Sequence, residues 1–240
     1  MMSCLHTFAT LDHTSEYYIN DYAQVLTPET KEYILNNSNA LCEKTKAQIV
    51  VVTINSLEGR DISEYSLELF RSWGIGDKKL NNGLLILLSI EDREIKIDVG
   101  DGLEGRINDS KAGRFLDEYS GPYFKSNDWD TGIKTLYSAL LEEVYSEYDL
   151  EMPAEVSEVV SNCKNVSEDS KMSVLMGVVI VALILVFGGI LPLIRKRKRF
   201  GDFYEDTSSF GGIDFWDGFG SGDNDNFGGF SGGGGASRKF

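Results

Sequence analysis

Apolar residues along the first 150 positions alternate between runs of β-branched side chains and runs at helical spacing, and this alternation predicts an α/β domain. Gln48–Ile54 (QIVVVTI) is nearly all β-branched and reads as a central strand buried on both faces. Before it, Thr27 is a good N-cap and Pro28 suits the first helical position, so a helix is expected to run to about Lys46. Its inner face would carry Ile34, Leu35, Ser38 and Leu41 or Cys42. A second helix starts at Asp61 or Ser63, passes through Leu67, Phe70 and Trp73, and stops at Gly74 and Gly76. Asn81-Asn82-Gly83 turns the chain into the strand Leu84–Ser89, and Glu91-Asp92-Arg93 turns it back. Ile95, Ile97 and Val99 then alternate with Glu94, Lys96 and Asp98, which predicts an antiparallel hairpin with a half-exposed edge strand. Two more helices are expected near Ser110–Tyr119 and Thr131–Tyr148. Helices before and between the strands imply a mixed sheet covered on both faces.

One apolar run breaks this rhythm. Ser173–Ile194 has 22 residues and no charge, enough for the roughly 20 that cross a hydrocarbon core about 30 Å thick. It is read as a single transmembrane helix, which makes the lipid bilayer the first partner. Five basic residues, Arg195–Arg199, follow it directly, while Glu168 and Asp169 precede it. Positive flanks stay inside, so the folded domain is expected outside and the tail in the cytoplasm. The first residues have neither a basic n-region nor an apolar h-region, and a preceding N-terminal piece is therefore expected. The chain divides into an N-terminal extension (1–15), the α/β domain (16–149), a polar stalk (150–172), the span (173–194), and a basic cluster with a Gly/Phe/Asp-rich tail (195–240). That last composition cannot build a core and is expected to be disordered.

Charge and cysteine usage narrow the chemistry. A net charge of −15 argues against nucleic acid as a partner, because phosphate backbones require clustered Lys and Arg. Three cysteines at wide spacing and two histidines near the N-terminus give neither a zinc pattern nor a disulfide framework. No Ser or Thr stands beside a His or Lys base in a way that marks a nucleophile.

The richest stretch is Asp98-Val99-Gly100-Asp101-Gly102-Leu103-Glu104-Gly105, which follows a strand. Its glycines permit a sharp turn and a close approach to a ligand. Asp98, Asp101 and Glu104, with Asp109 a few residues on, supply the oxygens that calcium takes six to eight at a time. The twelve-residue EF-hand spacing is absent, and the near-match to GxGxxG lacks the downstream ribose acid of a dinucleotide site. An ordinary strand-to-helix turn with solvated acids fits the same residues. Asn127-Asp128-Trp129-Asp130 precedes the last helix; Asp130 reads as its N-cap, and Asp128 as a further metal ligand from a neighbouring loop. Asn81 and Asn82 could bring oxygens to the same rim or serve only the turn, and Arg93 and Arg106 could pair a phosphate or an acid.

Several blocks recur in an order that resembles the TPM domain of thylakoid-lumen photosystem II repair proteins and many bacterial membrane proteins. They are Gln48–Thr53 with Leu57-Glu58-Gly59, then Leu69–Gly76, then Asn81–Leu88 with Asp92-Arg93, then Val99–Gly105. The likeness spans about residues 16–148, and the apolar span with the Gly232–Ala236 run resembles the membrane-anchored bacterial branch. It implies a three-layer α/β/α sandwich and calcium binding in some members. It also implies a phosphatase activity proposed from plant members. Carried over, Asp101, Glu104 and Asp128 are the residues expected at the metal rim, with Asp101 standing where the family usually has an aromatic. Two functions follow as expectations. One is a calcium-binding module that supports assembly or maintenance of a membrane complex; the other is a metal-dependent phosphatase acting on phosphate monoesters.

Overall fold

The computed structural model describes residues 11–162, 176 and 234–240. Five strands form one mixed sheet in the order β1-β2-β3-β4-β5. They are β1 (Ile19–Asp21), β2 (Gln48–Ile54), β3 (Gly83–Ser89), β4 (Glu94–Val99) and β5 (Gly234–Lys239). The first three run parallel, and β4 and β5 are antiparallel to their neighbours. β2 and β3 are apolar on both faces because both faces are covered, as their unbroken Val, Ile and Leu runs require.

The first two helices begin where a side chain satisfies free amides of the first turn. Thr27 caps α1 (Pro28–Thr45) by accepting from the Thr30 amide at 3.2 Å, and Asp61 caps α2 (Ile62–Trp73) by accepting from Ser63 and Glu64. Gly74 ends α2 in the left-handed region. The single turn α3 (Asp101–Glu104) leads through Asn108, the N-cap, into α4 (Asp109–Phe115). A π-helical turn (Leu116–Ser120) and α5 (Gly121–Lys125) follow, and then the long α6 (Trp129–Glu147).

Ile34 and Leu41 of α1 pack with Tyr137, Leu140 and Val144 of α6 against Ile49, Ile86 and Ile97 on one face of the sheet. Ile62 and Leu69 of α2 pack with Val50, Val52 and Leu85 on the other. The β1–α1–β2 and β2–α2–β3 crossovers step in the same direction across the sheet, yet their helices lie on opposite faces. The two crossovers are therefore of opposite hand, although right-handed connections greatly predominate.

Three sequence expectations are corrected. The hairpin β3–β4 pairs as expected, with Ile86 opposite Ile97, but β4 is not an edge strand. Residues 234–239, placed in a tail without structure, cover it as β5. Residues 154–162, expected in a polar stalk, are helical, and Val156 and Val160, one helical turn apart, are buried in the main core. Residues 11–15 also pack on the domain, since the Leu11 carbonyl accepts from Trp73 Nε1 at 2.7 Å and His13 meets the Trp73 ring edge-on. Among the described residues no helix is long and apolar enough to cross a membrane. The expected span Ser173–Ile194, apart from Met176, and the basic cluster Arg195–Arg199 lie outside the described residues.

Candidate functional site

β4 delivers the acidic stretch to one end of the sheet, and the five candidate carboxylates then separate into three places. Asp98 turns toward α2. It is 9% exposed, accepts a hydrogen bond from Ser66 Oγ, and lies 3.5 Å from Lys96 Nζ. With Arg71, Asn81 and Asp101 it borders a cleft of ≈ 170 Å³ at the end of α2.

Burial raises the Asp98 carboxyl above the usual carboxylate range, against the pull of Lys96 and Ser66. A group raised in the folded state stabilises the fold fully below its unfolded pKa, and that contribution is lost as pH rises through the folded value. Asp98→Asn stays neutral at every pH. It should raise the melting temperature at pH 7 by about 2–4 °C, the effect of about 1 kcal/mol in a domain of this size. The gain should vanish near pH 3, where both side chains are neutral; a circular-dichroism melting series across pH reads this directly, and a gain persisting in acid would refute the assignment.

Glu104 and Asp109 converge on a different point, beyond the end of β4. Glu104 Oε1 accepts from the Gly234 amide, and Asp109 Oδ1 accepts from the Gly235 amide at 2.7 Å. A Cβ built on Gly234 would lie 3.0 Å from Asp109 Oδ1 and 3.1 Å from Glu104 Oε1, so the two carboxylates flank one small volume. Asp101, three residues before Glu104 on α3, is exposed to solvent and borders the same cleft as Asp98.

Asp128 joins neither group. It is the N-cap of α6, accepting from the Thr131 amide at 3.2 Å, and it follows Asn127, whose Oδ1 accepts from Arg93 at the start of β4. The six residues of β4 place that end roughly 17 Å from Val99. The capping role expected of Asp130 thus belongs to Asp128. Asp130 instead accepts from the Thr27 amide at 2.6 Å and from Thr30 Oγ1 at 2.9 Å, tying α6 to the start of α1. Among the described residues no three His, Cys, Asp or Glu side chains converge as a metal cluster.

The glycines of the loop serve the fold. A Cβ on Gly100 would sit 2.2 Å from the Asn81 carbonyl oxygen, and one on Gly102 would sit 1.9 Å from that of Leu80. The close approach expected toward a ligand is made to the chain's own 80–81 backbone. Asn82 is fully buried, donating to the Thr45 carbonyl and Tyr148 hydroxyl and accepting from the Asp77 amide, so its oxygen is not offered to the rim. Arg106 pairs with Glu143 at 3.1 Å, beside Lys111 at 2.6 Å from the same oxygen.

Arg93 has a larger part than its turn position suggests. Its Nε donates to the Phe240 main-chain oxygen at 2.9 Å, and its other nitrogens donate to Asn127 Oδ1 and the Phe124 carbonyl. Its guanidinium lies 5.2 Å from the Phe240 ring centre and 5.6 Å from that of Trp129. Asp117, on the π-helical turn, grips Arg238 through both oxygens at 2.8 and 3.1 Å. A side chain paired so far along the chain leaves no local signal, which is why sequence reading passed over Asp117.

A family model described as the TPM domain matches residues 19–143. No curated protein matches the chain. Among solved structures, the N-terminal domain of a P. gingivalis protein is 26% identical, with 58% of this chain and 88% of that one covered at a TM-score of 0.53. A protein of the psychrophilic bacterium Bizionia argentinensis is 18% identical, with 52% and 84% covered at 0.45. The N-terminal domain of a Corynebacterium glutamicum protein is 17% identical, with 61% and 89% covered at 0.43.

Proposed function

This chain belongs to the TPM domain family, and from that premise we propose that it is a membrane-anchored binding module that takes a calcium ion at the Glu104–Asp109 pair while supporting assembly or maintenance of a membrane complex. The observation that carries the reading is the convergence of Glu104 Oε1 and Asp109 Oδ1 on one small volume. Calcium accepts six to eight oxygens and tolerates irregular geometry. Two carboxylates suit a weakly held and mostly hydrated ion rather than a closed protein cage. Asp98 and Asp128 stand apart from that pair, the first against Ser66 and Lys96 beside α2 and the second at the N-terminus of α6. The anchor would be Ser173–Ile194, with Arg195–Arg199 holding anionic head groups at about 1 kcal/mol per charge.

A ligand that binds only the folded state raises its melting temperature with concentration. Calcium at millimolar levels should therefore raise the melting temperature of the full chain, and Glu104→Gln with Asp109→Asn should abolish the rise. Asp128→Asn should leave the rise intact. No shift in the parent protein would end the calcium reading. Release of phosphate from a monoester, lost on Asp101→Asn, would replace it with the metal-dependent phosphatase.

A further inference from the structure

The β4 edge is bounded at both ends by side chains that engage residues 234–240. At one end Glu104 and Asp109 receive the Gly234 and Gly235 amides. At the other, Arg93 clamps Phe240, its carbonyl accepting from the Phe240 amide at 3.1 Å and its Nε donating to the Phe240 oxygen. The Phe240 ring rests 4.9 Å from Phe124 and 5.6 Å from Trp129, centre to centre. Between these ends, Glu94 to Val99 pair with Lys239 to Gly234 in register.

We propose that this edge is a recognition groove for an extended Gly-Gly-x-x-Arg-x-Phe segment, and that residues 234–240 of the same chain occupy it in cis as a detachable latch. Main-chain pairing supplies adhesion, and the flanking side chains choose the sequence, as in other cases of strand addition. Each selected position has a physical reason. At 235 a Cβ would lie 2.3 Å from the Ile97 carbonyl oxygen, so glycine is required there, and at 234 a Cβ would press on both carboxylates. At 238 the fork of an arginine matches the two oxygens of Asp117. At 240 a flat ring fills the space between Arg93, Phe124 and Trp129.

Detachment follows from what the segment leaves unburied. Only Ala236 and Phe240 touch the core, both partly exposed. The Arg238–Asp117 pair is 45% and 56% exposed, and the Lys239–Glu94 pair is 74% exposed on its lysine, so water and salt screen both pairs and each adds little to stability. Ordering two glycines costs more entropy than ordering other residues. Without β5, the edge would still carry Glu94, Lys96 and Asp98, the charged pattern that protects a free edge from chance pairing. The groove stands whether or not the acidic pair takes calcium.

Hydrogen exchange on the full chain in detergent micelles, without added metal, tests this. Amides of 234–239 should be protected in the parent protein. In Gly235→Val they should lose about tenfold or more of that protection, while β2 and β3 keep theirs. Adding the peptide Gly-Gly-Ala-Ser-Arg-Lys-Phe to the Gly235→Val chain should restore protection along β4, and the same peptide with glutamate in place of arginine should not. Loss of β2 and β3 protection together with 234–239 would make β5 an integral strand and overturn the latch. So would failure of the peptide to restore β4, or protection that grows with protein concentration, which would place the segment on a second copy.

Discussion

Gly102→Ala should cost the fold about 3 kcal/mol, at the upper end of what overpacking usually costs, and it should do so with no change in which ligand binds. The added Cβ would lie 1.9 Å from the Leu80 carbonyl oxygen and 3.2 Å from that of Asn81, while the Gly102 amide donates to the Asn81 oxygen at 3.0 Å. Nothing flexible stands in the way to be pushed aside. The obstructing atoms are backbone in a turn pinned by Asp77, whose Oδ1 accepts from the Lys79 and Leu80 amides. Urea denaturation of the full chain measures the loss. A cost below about 1 kcal/mol joined to a vanished calcium response would reverse the assignment and return the glycine to a ligand.

The second large effect belongs to Asp21, a residue with no apparent part in any site. Its carboxylate is 3% exposed and meets Lys31 Nζ at 2.6 Å. It also accepts from Thr53 Oγ1 at 2.5 Å and from the Val25 and Leu26 amides at 3.1 and 3.2 Å. Burial pushes its pKa up, but Lys31, Thr53 and the two amides together outweigh burial and hold it below the usual range. Asp21→Ala should therefore lose about 2–3 kcal/mol at neutral pH, because it leaves three inward-facing donors unpaired and removes the partner of the half-buried Lys31. A carboxyl lowered in the folded state contributes stability above its unfolded pKa, about 3.9, and loses it as pH falls through the folded value. The gap between parent and variant should thus close in acid. Asp21 and Asp98 tilt the stability profile in opposite directions, so equal denaturant midpoints at pH 7 for parent and Asp21→Ala would refute the assignment.

How far the sequence revealed these features depended on whether each was local. The helix starts at Thr27 and Asp61, the stop at Gly74 and the hairpin β3–β4 were legible, because each is written in a few adjacent residues. The role of Asp21 was not, since it exists only where parallel pairing brings Asp21 beside Thr53. The acids around Gly100–Gly105 read as one shell because they are close in sequence. Strand alternation sends Asp98 toward Ser66 of α2 and the turn carries Glu104 to the Gly234 amide, which divides them. The N-cap of α6 falls on Asp128 rather than Asp130, a two-residue offset usual at a helix end, and Asp130 ties α6 to α1 instead. In residues 154–162, Val156 and Val160 carried the helical signal, diluted by glutamates and serines.

The Gly-rich end was the farthest from legible. Glycine disfavours strands by composition, and only the Ile97 carbonyl explains why glycine is what the register demands at 235.

That docked end also constrains how the chain is threaded. Residues 11–162 and 234–240 share one folded body, so the intervening chain leaves and re-enters from a single compartment while β5 is paired. One passage of Ser173–Ile194 through a bilayer would put Arg238 and Asp117 on opposite sides of it. Latched pairing and a single-pass orientation, with the domain outside and the tail cytoplasmic, are therefore mutually exclusive in one molecule.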